Sequence, residues 1–167
     1  KFSLKKRSPI KINLVISDNS KAKGLVYPKK YKIDNKICNF KRKYAAENKI
    51  IKVLKKKKIK LICLAGFMKI LTKRFIQKFN GKILNIHPSL LPNYKGLNTH
   101  YRAIKNKEKF SGCTIHYVNA KLDSGKIILQ KKVRIKKNDS PKTLAKKILK
   151  QEHILYPKAI LIVSANL

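Results

Sequence analysis

A chain of 167 residues, 43% of them hydrophobic, is long enough to bury the core of one domain and too apolar to be a disordered polycation. No apolar run reaches the length that spans a bilayer, so no membrane partner is expected. The charge is lopsided, with 43 Lys and Arg against 7 Asp and Glu and a formal net charge of +36, yet the lysines are scattered through every segment. Dispersed charge of this kind reads as compositional bias rather than a nucleic-acid surface, which would interleave cations with aromatics along one stripe.

The chain opens Lys1-Phe2-Ser3-Leu4-Lys5-Lys6-Arg7, without a methionine. No apolar stretch follows, so this basic start is not a signal peptide; it is expected to lie inside a longer protein. Lys11–Ile16 then reads as a buried strand. A helix is predicted over 40–57, with Tyr44, Ile51 and Leu54 on one stripe and Ile50 beside it. Lys55 to Lys58 would close that helix and complement its C-terminal dipole. Lys60–Ala65 is a second apolar strand. A shorter helix over 72–79 starts from Thr72 as N-cap.

Lys82–Ile86 is a third strand, and 98–106 a further helix. Gly112–Tyr117 and Lys126–Val133 are the last two strands, the latter alternating enough to be an antiparallel member near the sheet edge. The helix over 140–157 has the clearest signals. Ser140 can cap it, Pro141 suits its first turn, and Leu144, Ala145, Ile148, Leu149, Leu155 and Tyr156 form an apolar face that also carries Glu152. Strands alternating with helices predict an α/β domain with a mostly parallel sheet and helices on both faces.

The chemistry concentrates in Asn85-Ile86-His87-Pro88-Ser89-Leu90-Leu91-Pro92 and Leu122-Asp123-Ser124-Gly125. Asn85 and His87 are two apart, so at the end of a strand they face the same side. The prolines and glycine between Ser89 and Leu97 end that strand and start a loop. Polar groups at the carboxyl end of a buried strand are where open α/β sheets place their ligands. Taken singly, His87 could be a hydrogen-bonded core histidine, Asp123 a turn residue and Asn85 a loop cap. Cys38, Cys63 and Cys113 form no C-x-x-C pair; they read as reduced structural thiols of a cytoplasmic protein, with Cys63 and Cys113 buried. His100, His116 and His153 read as structural, and the histidines show no metal-ligand spacing.

These segments carry a resemblance. Leu64-Ala65-Gly66-Phe67-Met68-Lys69-Ile70-Leu71, Leu84 through Pro92, Gly96-Leu97-Asn98-Thr99-His100, Leu122 through Gly125 and Gln151-Glu152-His153 occur in the order found in phosphoribosylglycinamide formyltransferases. The chain resembles that folate-dependent family from about Ile10 to Pro157. The resemblance implies a Rossmann-like formyltransferase fold in a single domain covering 1–167. It also implies that the family's first strand and phosphate-holding turn are missing from this chain, with Lys1-Phe2-Ser3-Leu4 matching the end of its first helix. The C-terminus is expected to be short as well.

The activity implied is transfer of a formyl group from 10-formyltetrahydrofolate, as co-substrate, to the amine of glycinamide ribonucleotide, without a metal. Asn85, His87 and Asp123 take the catalytic places. Lys43, Met68, Lys69, Ile70, Leu71, Asn85, Leu122 and Asp123 match folate-binding positions, and Gly66, Pro88 and Glu152 positions beside the ribonucleotide. The protein is expected to act as a monomer or homodimer. The alternatives are a formyltransferase acting on methionyl-tRNA or a nucleotide sugar, and a non-catalytic RNA-binding protein.

Overall fold

The computed structural model describes residues 8–167, so the reading of Lys1 to Leu4 as the end of a helix lies outside the described residues. Among the described residues, six strands and five α-helices follow one another: β1 Val15–Ser17, α1 Val26–Lys30, β2 Asn35–Ile37, α2 Lys43–Lys56, β3 Leu61–Leu64, α3 Lys73–Lys78, β4 Lys82–His87, α4 Thr99–Lys105, β5 Phe110–Tyr117, β6 Ile127–Arg134 and α5 Pro141–Ser164. The chain is α/β as expected, and an element of the predicted type lies at each predicted place, but the first strand begins only at Val15 and is half-buried instead of buried. α1 and β2 carry too little periodicity to be read from sequence; β2 is exposed along its length. No helix among the described residues is long and apolar enough to cross a membrane.

The strands form two sheets. β1 pairs with β2 in parallel, and β3, β4, β5 and β6 lie in that order in a second sheet. There β3 and β4 are parallel, whereas β5 runs antiparallel to β4 and β6 antiparallel to β5. The antiparallel direction expected for the last strand thus begins one strand earlier. Ladder register and the two-residue period of a strand assign the faces. Ile62, Leu64, Ile83, Asn85, His87, Thr114 and His116 share one face; Cys63, Leu84, Ile86, Cys113 and Ile115 share the other.

Each face has its own core. On the first, Ile50, Ile51 and Leu54 of α2 and Phe75 of α3 are buried together with Leu71, Phe79 and Ile83. Leu14, just before β1, and Ile16 of β1 pack on the same cluster, beside Ile62 and Leu64 of the larger sheet. On the second face, Leu144 and Ile148 of α5 are buried with Ala103 and Cys113. Helices therefore cover both faces of the four-stranded sheet.

Several local expectations need correcting. Tyr44 is exposed, and the buried face of α2 is Ala46, Glu47, Ile50, Ile51 and Leu54. A charged residue replaces an aromatic there because Glu47 has work to do: its carboxylate accepts from the Thr72 backbone N–H at 2.8 Å and from the Thr72 hydroxyl at 2.5 Å. Thr72 in turn caps α3 by accepting from Phe75 N–H. A buried carboxylate with two such donors is satisfied. Cys63 is exposed on β3 instead of buried, with Tyr156 beside its sulfur. Leu149, placed on the apolar face of the last helix, is 47% exposed.

α5 begins as read, with Ser140 and Thr143 forming a reciprocal capping box and Pro141 in the first turn. It does not end at Pro157 but runs seven residues further, to Ser164. Proline inside a helix costs a hydrogen bond, and Pro157 lies exposed, where water can satisfy the freed carbonyl. Ala159 and Val163 beyond it are buried and hold the helix on course.

Candidate active site

β4 delivers Asn85 and His87 to one face at its carboxyl end, as their spacing predicts, and β5 sets a partner against each. Asn85 stands opposite His116 and His87 opposite Thr114. The Asn85 carboxamide nitrogen is 3.4 Å from His116 Nε2. A register shift between Ile115 and His116 inserts an extra residue in β6 at this level. Bulges of this kind re-aim side chains near sites.

Asp123 arrives from the β5–β6 connection in a left-handed conformation, φ 43°. Its side chain is 8% exposed, and one oxygen, Oδ2, accepts from Gly96 N–H at 2.9 Å. The same oxygen lies 3.4 Å from His87 Nδ1, and Oδ1 lies 3.7 Å from His116 Nε2. The carboxylate therefore sits between two imidazoles. Lys95 Nζ donates to Ser124 Oγ at 2.6 Å, which further ties the loop after β4 to the Asp123 loop.

His87 is 5% exposed, and its Nε2 faces the Tyr94 carbonyl oxygen at 2.9 Å. A carbonyl only accepts, so Nε2 carries a hydrogen. The Asp123 carboxylate faces the other ring nitrogen, Nδ1.

The loop that presents Tyr94 is held from below. Ser89 Oγ donates to Asn93 O at 2.6 Å, and Thr114 Oγ1 donates to Ser89 O at 2.6 Å. Thr114 Oγ1 also accepts from Leu91 N–H at 3.1 Å and from Gln130 Nε2 at 2.9 Å. Gln130 Nε2 donates again to Leu91 O at 2.7 Å. Tyr94, Gly96 and Asn98 all have positive φ. This much constrained backbone in one loop marks a site that the surrounding structure must enforce.

His116 corrects the sequence reading, which left it structural: it touches both Asn85 and Asp123. Its Nδ1 is 2.8 Å from the Tyr117 carbonyl oxygen, so Nδ1 holds the hydrogen and the neutral ring turns a bare Nε2 toward the Asn85 carboxamide. Burial, the largest effect, lowers its pKa from the ordinary 6.5, against the Tyr117 carbonyl and Asp123, which raise it. His100 is lowered too, by burial and then by His87. Neither its Nε2 nor the neighbouring Thr99 Oγ1 has a hydrogen-bond partner among the described residues.

A histidine whose folded pKa is depressed binds protons more readily when unfolded. Its stability contribution is complete above pH 6.5 and is lost as pH falls through the folded value. Urea unfolding is expected to give a lower midpoint at about pH 5 than at about pH 7.5, and His116→Gln is expected to reduce that difference. An unchanged difference in the variant would show that His116 does not carry the linkage.

The remaining predicted positions are more scattered. Met68, Lys69 and Ile70 are exposed on the connection after β3, Met68 at 74% and Ile70 at 57%, whereas Leu71 turns into the first core. Gly66 is exposed at φ 62° and Pro88 is half-buried. Lys43 begins α2, half-buried. Leu122 is 50% exposed beside Gly96. Glu152 lies on α5, half-buried near Cys113 and so against the opposite sheet face from Asn85 and His87; burial raises its pKa. Burial also pushes the Cys113 thiol up to about 11, so it is not poised as a thiolate.

Residues 3–160 match the family described as Formyl transferase. Phosphoribosylglycinamide formyltransferase of Haemophilus influenzae is 44% identical over 155 residues, 91% of this chain and 73% of that protein. The trifunctional purine biosynthetic protein adenosine-3 of Homo sapiens is 39% identical over 162 residues, 95% of this chain but 16% of that much longer protein. The crystal structure of phosphoribosylglycinamide formyltransferase from Anaplasma phagocytophilum superposes with a TM-score of 0.92 at 41% identity, covering 99% of this chain and 78% of that one.

Proposed function

We propose that this chain, which belongs to the formyl transferase family, moves a formyl group from 10-formyltetrahydrofolate to the amine of glycinamide ribonucleotide. The observation that carries the reading is the convergence of Asn85, His87, His116 and Asp123 at the end of β4. In the reaction, the amine lone pair forms a bond to the formyl carbon and the carbonyl electrons move onto oxygen. The bond to the folate nitrogen then breaks, and that nitrogen takes a proton while the amine loses one. The chemistry needs donors for the oxygen, a proton for the leaving nitrogen and an acceptor for the amine proton.

Asn85 is the neutral donor. Neutral His116 fixes its orientation by offering Nε2 to one carboxamide hydrogen, which leaves the second free for the developing oxyanion. His87 is the cationic donor and general acid. It reaches the reacting group by exchanging the Tyr94 carbonyl for it, with the Asp123 carboxylate behind it at Nδ1. Asp123 accepts the amine proton through water. Met68, Ile70 and Leu122 offer exposed apolar surface to the pterin, Lys43 and Lys69 approach the folate, and Leu71 supports from the core. Gly66, Pro88 and Glu152 face the ribonucleotide.

The test supplies purified protein with both substrates, follows tetrahydrofolate release by absorbance and identifies the product by mass spectrometry. Formylated glycinamide ribonucleotide, formed only when both substrates are present, is the expected result. Formyl transfer to methionyl-tRNA or a nucleotide-sugar amine in its place would overturn the choice of acceptor.

A further inference from the structure

The Tyr156 side chain reaches from α5 to the carboxyl ends of β3 and β4, where its hydroxyl meets two backbone oxygens at once: Leu64 O at 2.8 Å and Leu84 O at 3.2 Å. We infer that Tyr156 is a positioning residue for the site, a brace that sets the spacing of these two strand ends and through it the direction of the Asn85 carboxamide. The kinetic part of this inference rests on the formyl-transfer reading above.

Both carbonyls are well placed for such a role. Leu84 O belongs to the peptide that links Leu84 to Asn85, so a force on it acts two bonds from the Asn85 backbone nitrogen. Leu64 is the last residue of β3 and is paired in register with Asn85. Directly after it comes the turn through Gly66 at φ 62° and on to Met68. The brace therefore joins the strand that carries Asn85 to the strand that launches the Gly66 turn. It does so from the sheet face opposite Asn85.

The phenol is suited to donate and to nothing else here. Burial, then the Cys63 thiol beside it, hold its pKa far above the ordinary 10, so the hydrogen stays on the oxygen at any pH the protein meets. One hydrogen shared between two carbonyls is satisfied only while both strands keep their places. Glu152 stands four residues earlier on α5, one turn away on the same helix face. The hydroxyl that ties α5 to β4 thus also sets Glu152 relative to Asn85. Packing of the ring alone does not explain these contacts, because phenylalanine would fill the same volume.

Tyr156→Phe isolates the hydroxyl. The first readout needs no substrate: in nitrogen-15 spectra the Asn85 side-chain amide is expected to shift, with the Gly66 backbone amide, while signals from α1 and the small sheet stay in place. The second is turnover per folded molecule, expected to fall about tenfold with the folate KM little changed, since slight misplacement of a donor acts on the transition state. If Tyr156→Phe fails to fold, 3-fluorotyrosine placed at 156 alone strengthens the donor without removing it and is expected to move the same Asn85 signal. An Asn85 amide unmoved by both changes would overturn the brace, as would wild-type turnover in folded Tyr156→Phe. A wild-type protein that transfers no formyl group, yet whose Asn85 amide responds to these changes, would sink the functional reading and leave the brace standing.

Discussion

Asp123→Asn is expected to lower turnover a hundredfold or more while leaving the fold and folate binding close to wild type. Asp123 does two things at once. Through Oδ2 it docks the Gly96 backbone, and through its charge it faces His87 at 3.4 Å and His116 at 3.7 Å. Asparagine keeps an oxygen that can accept from Gly96 N–H but removes the negative charge that faces both rings. The site then loses the counter-charge behind the His87 donor and the acceptor for the amine proton. Groups aimed at charge that develops in the transition state act on turnover more than on binding, and single losses of this kind cost on the order of a hundredfold to a thousandfold. His87→Ala should match it. Turnover and folate titration on each variant, with urea unfolding as the check on folding, decide the matter. Near-normal turnover in folded Asp123→Asn would end the proposed role.

That centre was only half legible in the sequence. Asn85 and His87 could be paired by spacing alone, because a strand's period of two is local information. The third member, Asp123, came with a turn motif. His116 could not be found this way, since it joins the site only because β5 runs antiparallel to β4 in a register that sets it opposite Asn85. Pairing direction and register are properties of two segments together, and no residue in either announces them. The same limit explains Glu47, whose burial makes sense only once Thr72 is seen above it. Helix starts were legible where a side chain caps its own helix, as at Thr72 and Ser140. The end of α5 was misread at Pro157 because burial of Ala159 and Val163, a tertiary effect, outweighs the local penalty.

Gly125 shows the same dependence on a partner strand, and it carries the second large expected effect. A glycine after Asp-Ser reads as ordinary turn chemistry, chosen for freedom of φ. Its backbone, however, is not among those with positive φ, and the constraint is space: a Cβ at Gly125 would lie 1.7 Å from the Tyr117 carbonyl oxygen and 2.6 Å from its carbon. No side-chain rotation relieves contact with backbone, so the strands must part. They are joined there by Tyr117 N–H donating to Lys126 O at 3.0 Å, next to the His116–Ile127 pair. Gly125→Ala is therefore expected to cost about 3 kcal/mol or more of stability, at the upper end of overpacking effects. It is also expected to displace Asp123, two residues away, and so to depress turnover even in the molecules that remain folded. Gly24→Ala is the matched control, because nothing lies within 4 Å of the added carbon there and its φ is unexceptional; its unfolding midpoint and turnover should stay near wild type. Urea unfolding of both variants, with turnover measured well below each midpoint, separates the two effects. Wild-type turnover in Gly125→Ala would mean that the hairpin yields without moving Asp123, and that the glycine serves the fold alone.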